Sequence, residues 1–518
     1  MDNSTAFSSI GTSLQYVGRW AYKIYDEWDM IQMHIHLILA ALFPIYIGSH
    51  AALRRPPSAK HPAKSSISLD AEDDGLERDE VVEGLTPSDA ILFPVLAGTT
   101  LGGLYFIIKW MEDPALLNKI LTWYFSCLGI FGVGKLAADA LNVLDTFVFP
   151  TVWANSKQEF SIEQNSRKQI SRAFDEPRNE QTRCIVASKT NPLAGPFSKL
   201  RLPRPITESL WSLRAILRRH WVFRSYIRGI LSLSSRVKMN DVIGLLIGVA
   251  AIAVYNLGGK SWWLTNLMGF GFAYGTFQLM SPTTFWTGSL VLAGLFIYDI
   301  VMVFYTPLMV TVATSLEVPI KLVFPGPKRG AMLGLGDVVL PGIMMALALR
   351  FDLYLFYLRK QQPNAVVLNP KDLNFQRATY LRSTGVWGEL FWTRLAPAEA
   401  TPIEVKGARF SKVYFYASVV GYVIGMFATL IVLRVFNHAQ PALLYLVPGV
   451  LISLWGTAFL RGEFDLMWEY TEDGSLDFYE KSDGGGKPIE NGEVNEKKPK
   501  EPRDHHVFMF SLSEPRKT

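Results

Sequence analysis

Long runs of apolar residues constrain this chain more than any other feature. Residues 241–257 and 285–310 carry almost no charge, and runs of about 18 or more apolar residues read as transmembrane helices. Only helices and closed barrels satisfy the backbone in lipid. These runs lack the period-two alternation of barrel strands. The expected class is therefore an all-α polytopic membrane protein. Composition agrees: 49% of residues are hydrophobic and only 19% are charged, below the roughly 25% usual in globular domains.

The pattern predicts about nine transmembrane helices, near 31–53, 90–110, 116–149, 242–257, 262–280, 285–310, 331–357, 413–436 and 442–460. The third run is longer than a bilayer requires, and is expected to tilt or to end near Asp145. Lys and Arg near span ends set orientation. The loop 52–90 contains Arg54, Arg55, Lys60, Lys64 and Arg78, and the loop 151–238 has 17 Lys/Arg against 6 Asp/Glu. Arg359, Lys360, Lys371 and Arg377 follow the seventh run. With nine spans these loops share one side, expected to be cytosolic. The loop 311–330, with Lys321, Lys328 and Arg329, runs against the trend.

The domains expected are a luminal N-terminus (1–30), three helices (31–149), a basic cytosolic loop (150–240), helices four to six (241–310), helix seven (331–357), a cytosolic insertion (358–410), helices eight and nine (411–460) and a disordered cytosolic tail (461–518). Asn3-Ser4-Thr5 is a glycosylation sequon on the luminal side, so Asn3 is a candidate site. No cleavable signal peptide is expected, because the acidic Asp26, Glu27 and Asp29 stand where a basic region should lead into an apolar one. Cys127 and Cys184 are expected not to pair. The stretch 210–231 mixes Trp211, Leu213, Leu217, Trp221 and Ile227 with five arginines. That pattern suits either a membrane surface or a helix packed on its own protein.

Ionisable residues inside spans are functional candidates by default. Lys135 and Asp139, four apart, form one expected helix-face pair with a structural role. Asp299 lies in "GLFIYDIVMVF" and Asp337 in "MLGLGDVVLPGI". If the sixth span rises and the seventh descends, both acids lie roughly 9–16 Å below the outer end at about 1.5 Å per residue. Two close carboxylates in low dielectric share one proton. One can then act as base on water while the other donates to a carbonyl oxygen. Gly334 and Gly336 leave room for close backbone approach. Tyr298 offers a hydroxyl beside Asp299, and Pro341 weakens the helix one turn past Asp337. Pro441, Ala442 and Leu443 form a small, irregular corner able to pack against the acids. On residues alone three readings stand: an intramembrane protease, a proton-coupled transporter or channel, and a non-proteolytic scaffold in membrane quality control.

The motifs resemble those of the GxGD intramembrane aspartyl proteases, in the signal peptide peptidase branch of the presenilin-like superfamily. The stretches that carry this are "GLFIYDIVMVF" (294–304), "PIKLVFP" (319–325), "AMLGLGDVVLPGI" (331–343), "ALRFD" (348–352) and "HAQPALLYLVPG" (438–449). The likeness is strong over 258–352 and 410–460 and weak before residue 240. The nine-span, N-terminus-out topology suits this branch, whereas presenilins have the opposite orientation. The resemblance implies catalysis by Asp299 and Asp337. It places Tyr298, Gly334, Leu335, Gly336, Pro441, Ala442 and Leu443 in active-site motifs. It implies hydrolysis with water as co-substrate and no metal or organic cofactor. Implied partners are transmembrane-helix substrates, including remnant signal peptides and type II or tail-anchored segments, and the lipid bilayer. A homo-oligomer and quality-control partners, as in endoplasmic-reticulum-associated degradation, also fit the family; nucleic acid does not. The implied location is the endoplasmic reticulum membrane, with the N-terminus luminal and the C-terminus cytosolic. Two features depart from the pattern: the loops 151–238 and 357–410 are longer than in the family. The final "SEPRKT" carries no clean dilysine retrieval signal.

Overall fold

The structure is a computed structural model. It describes residues 28–60, 83–85, 87–111, 115–173, 188–227, 231–316, 319, 321–326, 330–363, 375–397, 402–436, 440–472 and 508–513. Asn3, Cys184, His438 and Ala439 lie outside the described residues.

Among the described residues, nine long helices follow the apolar runs: α1 (Trp28–Ala51), α2 (Pro87–Met111), α3 (Ala115–Val148), α4 (Met239–Leu257), α5 (Trp262–Leu279), α6 (Phe285–Ile300), α7 (Leu335–Arg359), α8 (Val413–Phe436) and α9 (Leu443–Arg461). Among the described residues, eight helices are long and apolar enough to cross a membrane; α5 is not one of them. It carries Thr265, Asn266 and Gln278, and half its length is buried against other helices. A helix that faces protein instead of lipid can keep polar side chains, because neighbours supply their partners.

Helix α7 is the hub, buried along most of its length. It packs against α1, α5, α6, α8 and α9. Small residues let other backbones approach closely. A side chain at Gly244 would collide with Gly134 and Ala138, which seats α4 on α3. Gly421 meets Gly449, which seats α8 on α9. Asp139 has a second duty beside its Lys135 pair at 3.2 Å: it accepts the Tyr274 hydroxyl at 2.7 Å, tying α3 to α5.

Two sequence expectations change, and one pair of alternatives narrows. The sixth run is not one helix: α6 gives way to a π turn (Val301–Tyr305), and a separate helix, Leu308–Ser315, follows Pro307. The seventh run opens with a strand, β6 (Ala331–Gly334), hydrogen-bonded antiparallel to β5 (Lys321–Phe324). Four apolar or small residues fit a strand as well as a helix, and the β5 partner decides. The third run stays helical to Val148, past Asp145.

The basic loop is folded. Strands β1 (Val152–Ala154), β2 (Gln158–Glu163), β3 (Lys168–Ala173) and β4 (Ser188–Lys189) form an antiparallel sheet in sequence order. Phe160 and Ile162, two apart, face inward, as strand periodicity requires. The helix Arg204–Arg218 buries Trp211 and Arg214, and Arg214 donates to Gln164 at 2.7 Å. This face packs on the protein itself. The helix stops at Arg218 because residues 220–227 alternate into a strand paired with Leu231–Lys238. The tail is not wholly irregular, since Phe508–Ser513 adds a third strand to that pair.

The three basic loops meet on one face. Lys60 exchanges backbone hydrogen bonds with Ala378 and Tyr380 at 2.9 and 2.8 Å. Trp392 donates to the Phe147 carbonyl at 2.8 Å, and Glu389 accepts from Thr151. The "ALRFD" acid and base both find work inside the bundle. Asp352 accepts the Tyr414 and Phe415 amides at 3.2 and 3.0 Å, capping α8. Arg350 donates to the Ala52 carbonyl at 3.0 Å and to Glu472 at 2.6 Å, anchoring the chain after α9.

Candidate active site

Asp299 is the last but one residue of α6 and is buried, with 3% of its surface exposed. The π turn that follows re-aims the chain just beyond it, a device frequent at functional sites. The other end of the contact is the start of α9. Ala442 caps this helix and Leu443 is its first residue, so the Leu443 amide has no partner within the helix. It donates to Asp299 Oδ2 at 3.0 Å. Pro441, buried in front of Ala442, fixes the backbone that aims this amide. Thus Pro441, Ala442 and Leu443 do gather at an acid, through backbone geometry.

Asp337 stands in the first turn of α7, with Gly334 as the capping residue. Its side chain turns back to a hydrogen bond with the Gly334 backbone, as the third-position acid of a capping box does. A methyl at Gly334 would sit 3.2 Å from Asp337 Oδ2. At Gly336 the nearest atom to such a methyl would be Leu340 Cδ1, at 3.9 Å, and the residue is exposed. The space over Gly336 is therefore open to another chain, while Gly334 must stay small for the acid itself. Leu335 is half-buried against the core. Asp337 is thus not six residues into a helix but at a helix start, with a strand before it.

The helices α6 and α7 pack together, and the charges of Asp299 and Asp337 interact. The end of α6 and the beginnings of α7 and α9 therefore converge on two carboxylates. Tyr298 lies beside Asp299, half-buried, with its ring towards Gly98 of α2. An apolar cavity of about 100 Å³ lies between α6 and α7, lined by Phe93, Val291, Leu292, Val339, Leu340 and Ile343 among others; neither acid lines it. Among the described residues no three His, Cys, Asp or Glu side chains gather as metal ligands would.

Two neighbours escaped the sequence reading. Pro341 is four residues after Asp337, so it cannot donate the usual helical bond to the Asp337 carbonyl. The buried Tyr422 hydroxyl of α8 fills that place, donating to the Asp337 carbonyl at 3.3 Å. The orphaned carbonyl was legible from the Asp-to-Pro spacing, though its donor was not. Asn266 of α5 is the second: its amide donates to the Val323 carbonyl at 2.9 Å and accepts the Val323 amide at 2.8 Å. Asn266 thereby closes the outer edge of β5. Antiparallel pairing places Met332 opposite Val323, so the Met332 backbone groups point the other way, along the edge of β6 that no strand among the described residues pairs with.

Comparison with known proteins follows the same lines. A family model described as signal peptide peptidase matches residues 77–474. The human signal peptide peptidase is 28% identical over 453 residues, covering 85% of this chain and 84% of that protein. Intramembrane protease 2 of Caenorhabditis elegans is 31% identical over 49% of this chain and 47% of its own length. A probable intramembrane protease of Saccharomyces cerevisiae is 24% identical over 91% of this chain and 78% of its own.

Proposed function

This chain belongs to the signal peptide peptidase family, and from that premise we propose that Asp299 and Asp337 together cut peptide bonds inside transmembrane helices. The activity is that of an intramembrane aspartic endopeptidase in a multi-pass membrane protein. What supports these two residues is the Leu443 amide held on Asp299 at 3.0 Å, while Asp337 occupies the start of the adjoining α7.

The chemistry consumes water and calls for no metal or organic cofactor. The pair shares one proton. The ionised carboxylate takes a proton from water as its oxygen attacks the scissile carbonyl carbon, and the protonated partner donates to the carbonyl oxygen. Collapse of the tetrahedral species breaks the C–N bond, with a proton passing to the leaving nitrogen.

An intact helix hides its carbonyls in its own hydrogen bonds, so the substrate must unwind near the acids. The free edge of β6 offers Met332 backbone groups to an extended segment, by the strand addition used in many peptide complexes. That edge leads directly to Gly334 and Asp337. Helix-weakening residues in a substrate therefore favour cleavage.

The basic loops share a face, which the positive-inside bias assigns to the cytosol. The proposed orientation has the N-terminus in the lumen and the C-terminus in the cytosol. The proposed location is the endoplasmic reticulum membrane. Remnant signal peptides and type II or tail-anchored segments are the proposed substrates.

The test is reconstitution of the full chain in vesicles with a signal-peptide substrate, followed by mass spectrometry of the fragments. New termini within the apolar segment, absent with Asp299→Ala or Asp337→Ala, are expected. If the wild-type protein leaves a range of membrane helices intact, the proposal fails.

A further inference from the structure

A second cavity, of about 150 Å³, lies at the opposite end of α7 from Asp337, where α8 begins and α9 ends. Leu355, Phe356 and Val413 give it an apolar floor, and Arg359, Lys360 and Arg461 stand around it. Glu463 accepts from Arg359 at 2.5 Å, from Arg461 at 3.0 Å and from the Tyr414 hydroxyl at 2.7 Å. A guanidinium carries five N–H donors, so each arginine keeps several for a further acceptor. Lys360 pairs with no carboxylate among the described residues; its ammonium rests over the Phe356 ring, 3.9 Å from the centroid.

The charge is unbalanced. Among the described residues at the cavity, three cations, Arg359, Lys360 and Arg461, stand with two acids, Asp352 in its lining and Glu463 beside it, and Asp352 already accepts two amides of α8. Burial first, and then the nearby Lys406, hold the Lys360 ammonium below the usual lysine range.

A second observation fixes the depth. Beyond Arg461, the short helix Phe464–Glu469 exposes Phe464, Leu466 and Trp468, and Trp286 packs against Trp468 with its ring tilted by 46° at 5.3 Å. Such an aromatic group with one side wet marks the headgroup level of a bilayer. The lipid-facing surfaces of α8 and α9 beside it expose Val420, Ile424, Ile452, Phe459 and Leu460. Basic pockets between spans at this level suit anionic headgroups.

We propose that this cavity binds the phosphate of an anionic phospholipid, with Lys360, Arg359 and Arg461 as its donors and the acyl chains lying along α8 and α9. The chemistry recognised is a phosphodiester, which a free phosphate could imitate in part. A lipid adds apolar contact that free phosphate lacks, and this separates the two sources.

The test uses the full chain in mild detergent and native mass spectrometry. Phosphatidylglycerol, phosphatidylcholine and inorganic phosphate are titrated separately, and phosphate is also added against bound phosphatidylglycerol. Wild type should prefer phosphatidylglycerol to phosphatidylcholine about tenfold. Lys360→Gln/Arg461→Gln should bind the two lipids equally, and Lys360→Arg should keep the preference. The single Lys360→Gln variant, with an intermediate preference, serves if the double variant fails to fold. Equal binding of both lipids by wild type, or an unchanged preference in the folded glutamine variants, overturns the proposal. Displacement of the lipid by an equal concentration of inorganic phosphate overturns its lipid half.

Discussion

The amide of Leu443 and the carboxylate of Asp299 meet at 3.0 Å although 144 positions separate them in the chain. The bond ties the start of α9 to the end of α6. Because it uses backbone, the side chains at this corner matter mainly through the conformation they impose. Pro441 is the residue that restricts it. Pro441→Gly lets the corner leave the conformation that aims the Leu443 amide; a loss of about 1 kcal/mol in transition-state stabilisation lowers kcat about fivefold. Substrate cleavage rates in reconstituted vesicles check this, and an unchanged kcat contradicts it.

The two glycines before Asp337 should respond differently. Gly334→Ala puts a methyl 3.2 Å from Asp337 Oδ2. A displaced carboxylate of this kind loses about 100-fold in rate. Gly336→Ala meets nothing closer than 3.9 Å, so the fold and the acid stay in place. Its effect should appear in KM, because the methyl enters the space above the acid. Measuring kcat and KM separately for both variants distinguishes the roles.

Arg350 and Glu472 form an ion pair at 2.6 Å, with 4% and 19% of their side chains exposed. Arg350→Met leaves the Glu472 carboxylate without its main partner and should cost about 3–5 kcal/mol. Arg350→Met/Glu472→Gln removes both charges and should recover part of this loss. Thermal unfolding in detergent reads both, and equal melting temperatures for the single and double variants contradict the account.

Glu389 carries a pH dependence. Burial raises its carboxyl above the usual glutamate range, outweighing the favourable Arg218 charge. Native Glu389 therefore holds a proton that the unfolded chain has released. This contribution is fully present below the ordinary glutamate value of 4.5 and is lost as pH rises through the higher folded value. Glu389→Gln should match wild type in Tm near pH 4 and exceed it at pH 7 by about 2 °C. A gap that narrows with rising pH contradicts this.

The spans were legible because lipid leaves so few options for an apolar run. The choice of Asp299 and Asp337 was legible because charge in such runs is rare. Helix-start geometry was less so. The run from Ala331 has no break before Asp337, and only the pairing with β5 turns its first four residues into a strand. Residues joined across the sequence were beyond reach: Arg350 to Glu472 spans 122 positions, and Tyr422 comes to Asp337 from another helix. The basic loop read as charge alone, because its inward residues, such as Phe160, Ile162 and Trp211, are few and scattered among polar neighbours.

The central claim is that two carboxylates act as one unit. The most direct measurement is kcat for Asp299→Asn, Asp337→Asn and the double variant, on one signal-peptide substrate in vesicles. Groups that act together are grossly non-additive. Each single variant should fall by at least about 10⁴, and the double variant no further than the worse of the two. A single variant that keeps the wild-type rate, or a double variant that falls by the product of the two, would contradict the account.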